Sequence, residues 1–332
     1  MLRYIINRFF TAIFTIWVII TFTFILMHTI PGDPFAKEGN MPSGVYNNLL
    51  RHYNLDKPKV VQYFIYLKNL ARLDFGPSTK SRVVNVNYYI KNNFPVSARL
   101  GMQALIVAIA VGLVLGIIAA LRHNQWPDYI SMILAIIGIS VPSFIMGTLL
   151  IHYAAVQWRL FPPGQWKSFA HTVLPTIALM MMPLAVIARM MRSSMLEVMN
   201  QDYIRTARSK GLSQAKVVWR HGIRNAILPV VTVLGITATN LIVGSFIIER
   251  IFSIPGMGEA FVQSVTDRDY SVILGSTVFY SAILIVLVFV VDIAYVFIDP
   301  RIKLPGKTRE ITGPSEEKNM EEFTNEGSGI NA

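Results

Sequence analysis

The 332-residue chain contains no cysteine. Disulfides and thiolate metal sites are therefore excluded. Charge is scarce as well: Asp, Glu, Lys and Arg make up 15% of the residues, against 53% apolar ones. Mean hydropathy is +0.48, too high for the one or two soluble domains that the length alone would allow. Catalytic patterns are also missing. There is no H-E-x-x-H, no G-x-S-x-G and no pair of aspartates inside an apolar run. Gly306-Lys307-Thr308 imitates the end of a phosphate-binding loop, but Arg301 stands where the motif needs its first glycine. The chain is predicted to be non-catalytic and to bind neither metal nor cofactor itself. So few charges inside apolar runs also argue against an ion pump or a proton-coupled carrier.

What the chain has is long apolar runs, and about 18 apolar residues in a row indicate a transmembrane helix. Six are predicted, at residues 9–30, 100–121, 129–156, 172–191, 227–248 and 271–298. The first follows Arg3 and Arg8, is too long for a cleaved signal peptide, and reads as an uncleaved anchor over residues 1–30 with its N-terminus in the cytoplasm. Residues 31–98 form a long polar extracytoplasmic segment, too long for its basic residues to count in setting orientation. Pro58 opens an amphipathic stretch there, with Val60, Val61, Phe64, Ile65, Leu67 and Leu70 at helical spacing. Both a plain cap and a surface receiving a delivery protein fit it. Gly112 and Gly116 form a G-x-x-x-G, read as packing within the bundle. Pro142 is expected to kink the third span. Trp158, Phe161 and Trp166 suit an aromatic belt at headgroup level, and His152 reads as an interfacial residue. Met180, Met181 and Met182 read as packing filler.

Residues 249–270 are semi-apolar but too short and broken to span. They are predicted to form a re-entrant or interfacial loop at the outer mouth, with Glu249, Phe252, Pro255, Gly256 and Gly258 as its marked positions. Asp292, the acid within the sixth run, is read as a structural ion pair or cap near the cytoplasmic end. Residues 306–332 are polar, acidic on balance and expected to be disordered. With six spans both termini lie in the cytoplasm, as do the most basic loops.

The net charge of +11 would suggest nucleic acid in a soluble protein. Here the basic residues sit largely in loops between spans, so the lipid bilayer explains them and no nucleic-acid partner is expected. The most basic loop, residues 192–226, is also punctuated. Asp202 is placed as an N-cap, Tyr203 to Lys210 as a two-turn helix, Gly211 as its left-handed stop and Ser213 as the cap of a second helix running toward Asn225, with Pro229 opening the next span. A loop that only sets topology accounts for the charge. A docking element for a soluble partner accounts for the charge and the caps.

This loop resembles the cytoplasmic EAA loop of binding-protein-dependent ABC import permeases, in the variant of the peptide/nickel group. The matching residues are Asp202-Tyr203-Ile204-Arg205-Thr206-Ala207-Arg208-Ser209-Lys210-Gly211, Arg220-His221 and Arg224-Asn225-Ala226-Ile227-Leu228-Pro229. Arg205-Thr206-Ala207 replaces Glu-Ala-Ala, and 17 residues separate Gly211 from Pro229. Pro31-Gly32-Asp33-Pro34, Leu55-Asp56-Lys57-Pro58, Asp74-Phe75-Gly76, Ile254-Pro255-Gly256-Met257-Gly258 and Asp299-Pro300-Arg301 are similar to the B-type subunit of oligopeptide permeases. The resemblance implies an all-α integral membrane protein with the type I ABC importer fold, its permease domain at residues 99–299. It implies a bacterial cytoplasmic membrane and a second, non-identical permease subunit. It further implies two ABC ATPase subunits that carry ATP and magnesium, an extracytoplasmic peptide-binding protein and an oligopeptide substrate. It makes Tyr203, Arg205, Thr206, Ala207, Arg208, Lys210 and Gly211 the coupling helix seated on one ATPase. Dipeptides, nickel chelates or glutathione are the alternative cargoes within the group. A channel or receptor whose basic loop binds a signalling partner is the rival of another class.

Overall fold

The computed structural model describes residues 2–29, 42–81, 84–243 and 246–298. The Pro31-Gly32-Asp33-Pro34 and Asp299-Pro300-Arg301 motifs and the tail 306–332 lie outside them. The described chain is helical: α1 (Leu2–Thr29), α2 (Ser43–His52), α3 (Lys59–Leu70), α4 (Val86–Leu121), α5 (Trp126–Ser140), α6 (Ser143–Leu150), α7 (Phe169–Met199), α8 (Asp202–Ser209), α9 (Gln214–Val217), α10 (Arg224–Val243), α11 (Phe246–Ile251), α12 (Met257–Asp267) and α13 (Tyr270–Ile298). Five segments are long and apolar enough to cross a membrane; α5 and α6, bent by 106° at their junction, make the sixth if they form one crossing.

The bend exceeds the expected kink, and the chain shows why. The ring of Pro142 forces Val141 out of the helical region, to φ −92° and ψ 116°, and α5 stops there. Pro142 then precedes the first turn of α6, where a missing N–H costs nothing. A second difference concerns the outer segment. α4 begins at Val86, well before the expected start of its span, because Asn85 caps it: the Asn85 side chain accepts from the Tyr88 N–H at 2.8 Å. Its first turns are polar, so hydropathy alone does not reveal them. The fourth span likewise runs on to Met199, well past residue 191.

The bundle is built around α7, which packs on α4, α5, α6 and α10. Glycines bring its neighbours to backbone contact. A Cβ at Gly116 of α4 would lie 2.6 Å from the Ala188 carbonyl oxygen, and one at Gly138 of α5 would lie 2.6 Å from that of Met181. Lipid tails are as apolar as side chains, so helices in a membrane associate through such close packing rather than through exclusion of water. The Gly112-x-x-x-Gly116 pair thus packs inside the chain, as the sequence suggests. Toward the C-terminal end of α7, Met191 and Met195 are buried with Ala108, Val218, Ala226 and Val230, which ties α7 to the start of α10.

α1 stands at the side of the bundle, packed on α13, with Phe10, Phe14, Trp17, Phe22 and Ile25 exposed. Near the N-terminus of α1 the Arg8 Nε donates to Asp292 at 2.5 Å, so the acid of the sixth apolar run is one half of an ion pair between α1 and α13. At the other end of α13 Asp269 fastens the segment between α1 and α4 to that helix. Its carboxylate accepts from the Thr79 N–H at 3.1 Å, from the Thr79 and Ser78 hydroxyls, and from the Val272 N–H at 3.2 Å at the start of α13.

Gly116→Leu should drive α4 from α7 and lower the thermal midpoint of the solubilised protein sharply, by the equivalent of about 1–3 kcal/mol or more. Gly44→Ala, where an added Cβ meets no atom within 4 Å, should leave it unchanged. Equal midpoints for the two variants would refute the close-packing account.

Candidate functional site

The basic loop folds into a compact platform. α8 starts after Gln201, whose side chain makes no capping bond; Asp202 is already in the first turn and exposed. The expected N-cap role of Asp202 is therefore not realised: its carboxylate lies 3.7 Å from Arg205, a loose pair in water. It still places negative charge at the positive end of the helix. The helix ends at Lys210, and Gly211 follows at φ +76°, a left-handed conformation that a side chain would strain. The Ser213 hydroxyl accepts from the Lys216 N–H and caps α9.

From α9 the chain does not break before the fifth span. A single turn of π-helix, Val218–Ile223, joins α9 to α10 without interruption. Pro229 consequently lies inside α10 rather than at its start. The continuity matters mechanically, because the platform is a rigid extension of α10. Ile204 and Ala207 of α8 are buried against Val217, with Met199 and Leu212 at the edge of the cluster. The Asn225 side-chain amide donates to the Tyr203 hydroxyl at 3.2 Å.

The predicted coupling residues therefore divide in two. Tyr203, Arg205, Thr206, Arg208 and Lys210 are exposed and form the outward face, while Ala207 points inward and holds α8 on α9. One exposed residue was not singled out from the sequence. Trp219 is 72% exposed beside Arg220 and Lys216. An exposed tryptophan among cations is the composition of an interface centre. Its signal in the sequence was its place between two basic residues of the loop.

At the opposite end of the bundle, four of the five marked positions, Glu249, Phe252, Gly256 and Gly258, are buried. Glu249 is fully buried and its Oε2 accepts from the Gly258 N–H at 2.7 Å, while Oε1 has no partner among the described residues. A Cβ on Gly256 would collide with this carboxyl, and one on Gly258 would lie 2.8 Å from it. Both positions are glycine because α11 and α12 fold back on each other around an acid. Ser97 of α4 faces the same acid and accepts from the Met257 N–H at 2.9 Å. Burial raises the Glu249 carboxyl to about 7, with the Ser97 hydroxyl and the Gly258 N–H pulling the other way. Phe252 is buried too, and its carbonyl accepts from the Gln165 N–H at 2.7 Å, whereas Pro255 is exposed.

Residues 112–304 match the family described as the inner membrane component of binding-protein-dependent transport systems, and residues 1–104 match that family's N-terminal component. The chain belongs to this permease family. It is 53% identical over 307 residues to the dipeptide transport system permease DppB of Bacillus subtilis, covering 92% of this chain and all of that protein. It is 42% identical to DppB of Lactococcus lactis and 41% identical to the oligopeptide transport system permease OppB of Escherichia coli, again over their full lengths. The crystal structure of an amino acid ABC transporter with histidines shares the fold, with a TM-score of 0.51 at 17% identity over 62% of this chain and 92% of that one.

In the permease, a charge cluster ties α7 to the start of α5 just before the platform. Asp128, 2% exposed at the start of α5, accepts from Arg192 of α7 twice, Nε at 2.6 Å and the terminal nitrogen at 2.7 Å. The Asn124 N–H donates to the same carboxylate at 3.0 Å, and the His123 Nδ1 lies 3.1 Å from it. A planar guanidinium meeting a carboxylate through two bonds fixes angle as well as distance. Arg192 is two turns before the end of α7, so the cluster sets how α7 leaves the bundle toward α8.

Asp128→Ala strands a mostly buried guanidinium and should cost the permease about 3–5 kcal/mol of stability, with Asp128→Ala/Arg192→Ala recovering part of it. Thermal denaturation of the purified set of variants measures this, and strictly additive effects would refute the cluster. The raised Glu249 carboxyl makes the folded state hold its proton longer than the unfolded chain does. This destabilises the fold increasingly as pH rises from about 4.5 through about 7. Glu249→Gln should flatten that part of the pH profile of the thermal midpoint.

Proposed function

We propose that this chain is one of two non-identical permease subunits of an ATP-driven peptide importer. It forms half of the translocation pathway. Two ATPase subunits, carrying ATP and magnesium, dock on the cytoplasmic side, and an extracytoplasmic binding protein delivers the peptide. The observation that carries this reading is the platform. A short basic helix with an exposed face is packed on α9, bonded to α10 and set between two spans, and the chain has no nucleotide motif of its own. Such a helix transmits a push only if it does not slip on its own bundle. Swinging a two-state bundle from about 1:99 to 99:1 needs about 5.5 kcal/mol of differential binding. Burial of Ile204 and Ala207 and the bond from Asn225 to Tyr203 supply the stiffness on this side of the joint. Arg3 and Arg8 favour a cytoplasmic N-terminus, which puts the platform on the side where ATP is available.

Oligopeptides are the cargo proposed from the motif set. Dipeptides are the second reading, favoured by the higher identity to the Bacillus dipeptide permease. Mass spectrometry of the ligand retained by the partner binding protein decides between them. Native mass spectrometry of the gently solubilised complex tests the importer itself. One copy of this chain with a second permease and two ATPases is the expected result, and a homo-oligomer alone would overturn it.

Gly211→Pro, incompatible with a positive φ, and Ala207→Leu, which lifts α8 from α9, should each reduce peptide uptake by about tenfold or more. ATP hydrolysis should continue in both, no longer stimulated by loaded binding protein. Arg205→Ala/Arg208→Ala should weaken ATPase association and make it less sensitive to salt. Normal uptake in all three variants would remove the coupling assignment.

A further inference from the structure

The amphipathic helix α3 presents two faces. One packs on the bundle: the Tyr63 hydroxyl hydrogen-bonds the Thr21 hydroxyl of α1 at 2.6 Å, the Tyr63 and Tyr66 rings lie against Phe24, and Gln62 meets the His28 ring at 3.1 Å. The other face is apolar and uncovered. Val60 and Phe64 are 66% and 62% exposed, Val61 lies beside them, and Leu73 extends the patch beyond the helix. Cations bracket it, with Lys57 and Lys59 at one end and Lys68 and Arg72 at the other, all exposed.

The height of α3 says what covers this face. Arg8 and its partner Asp292 mark the inner interface. Thr21 stands 13 residues above Arg8 on α1 and His28 stands 20 above it, so by the helical rise the contacts of α3 lie about 20–30 Å from that level. The hydrocarbon layer is itself about 30 Å thick. α3 therefore lies within the outer edge of the layer. Phe22 and Ile25, at the same height on α1, are exposed as well.

We propose that α3 is an interfacial helix embedded in the outer leaflet, with Val60, Val61 and Phe64 among acyl chains and Lys57, Lys59, Lys68 and Arg72 on the phosphates of anionic phospholipid headgroups. An apolar stripe edged by lysine and arginine is the chemistry of a helix lying in the interface plane. Long basic side chains reach the phosphates while their stems stay among the tails. The stretch for which the sequence left open a plain cap or a surface receiving a delivery protein is on this account a membrane anchor. It clasps the outer end of α1 and steadies the extracytoplasmic mouth.

The absence of cysteine makes the test direct. Phe64→Cys, Val60→Cys and Asp56→Cys would each carry a spin label as the single reactive thiol of this chain. The assembled complex would sit in nanodiscs of mixed phosphatidylcholine and phosphatidylglycerol. Collision with oxygen, which partitions into acyl chains, is compared with collision with a water-soluble nickel chelate. The expected ratio at positions 60 and 64 is about tenfold higher than at 56, and it should fall when phosphatidylglycerol is replaced by phosphatidylcholine. Nickel-dominated collision at both apolar positions overturns the proposal, and collision with neither reagent overturns it in favour of a protein neighbour. Protection from nickel that arises only when the binding protein is added also overturns it, making α3 a docking surface for that protein. An unchanged ratio in the absence of phosphatidylglycerol removes the headgroup contacts.

Discussion

Contact between helix backbones along α7 is the constraint on which the rest depends. In a bilayer no water is expelled when two apolar helices meet, so their attraction has to come from dispersion at short range. Gly112 and Gly116 of α4 and Gly138 of α5 allow that approach by presenting no side chain where Leu184, Ala188 and Met181 offer their carbonyls and Ile187, Met191 and Ala185 their side chains. α4, α5 and α7 are thereby one body over most of their length. A motion imposed on the C-terminal end of α7 must then move that body as a whole, because interfaces this close do not deform gradually.

Each end of the body carries a buried acid, and the two are handled differently. At the end where α7 leaves the bundle Asp128 is matched by a bidentate arginine and a backbone N–H, so the charge is kept and its direction is used. At the opposite end Glu249 receives one backbone bond, its second oxygen has no partner among the described residues, and burial pushes its carboxyl toward the neutral form. The first arrangement resists rotation of α7 against α5. The second closes α11 on α12 through glycines that leave no space for adjustment. The platform thus joins a stiff lever at one end of the bundle, and a stiff fold-back lies at the other.

The class, the number of apolar runs and the basic loop were legible because they rest on composition and on local turn chemistry. Gly211 and Ser213 act at the positions where their neighbours require a left-handed residue and a cap. What escaped depends on residues far apart in the chain. Nothing in the sequence around Asp128 indicates that Arg192 will reach it, nor around Asp269 that Ser78 and Thr79 will. Helix limits escaped for another reason. Hydropathy reports where lipid is, whereas α4 and α7 continue as helices beyond it, started by the Asn85 cap in one case and extended by polar turns in the other. Ala207 shows the reverse risk. A motif can mark the right residue while its outward role belongs to its neighbours Arg205, Thr206 and Arg208.

On the coupling role proposed for α8, this division has a mechanical consequence. Ala207 must be small because α8 lies flat on Val217, and α8 must lie flat because its exposed side chains would deliver force only along a direction fixed by the bundle. The exposed face can therefore vary with the partner it meets, but the buried face cannot vary without loosening the joint. A basic outer face gives attraction at a distance and tolerates exchange of one cation for another. The inner face and Gly211 give angle, which no long-range charge can supply. Coupling strength in this permease is then limited by the packing beneath α8 rather than by the number of contacts above it.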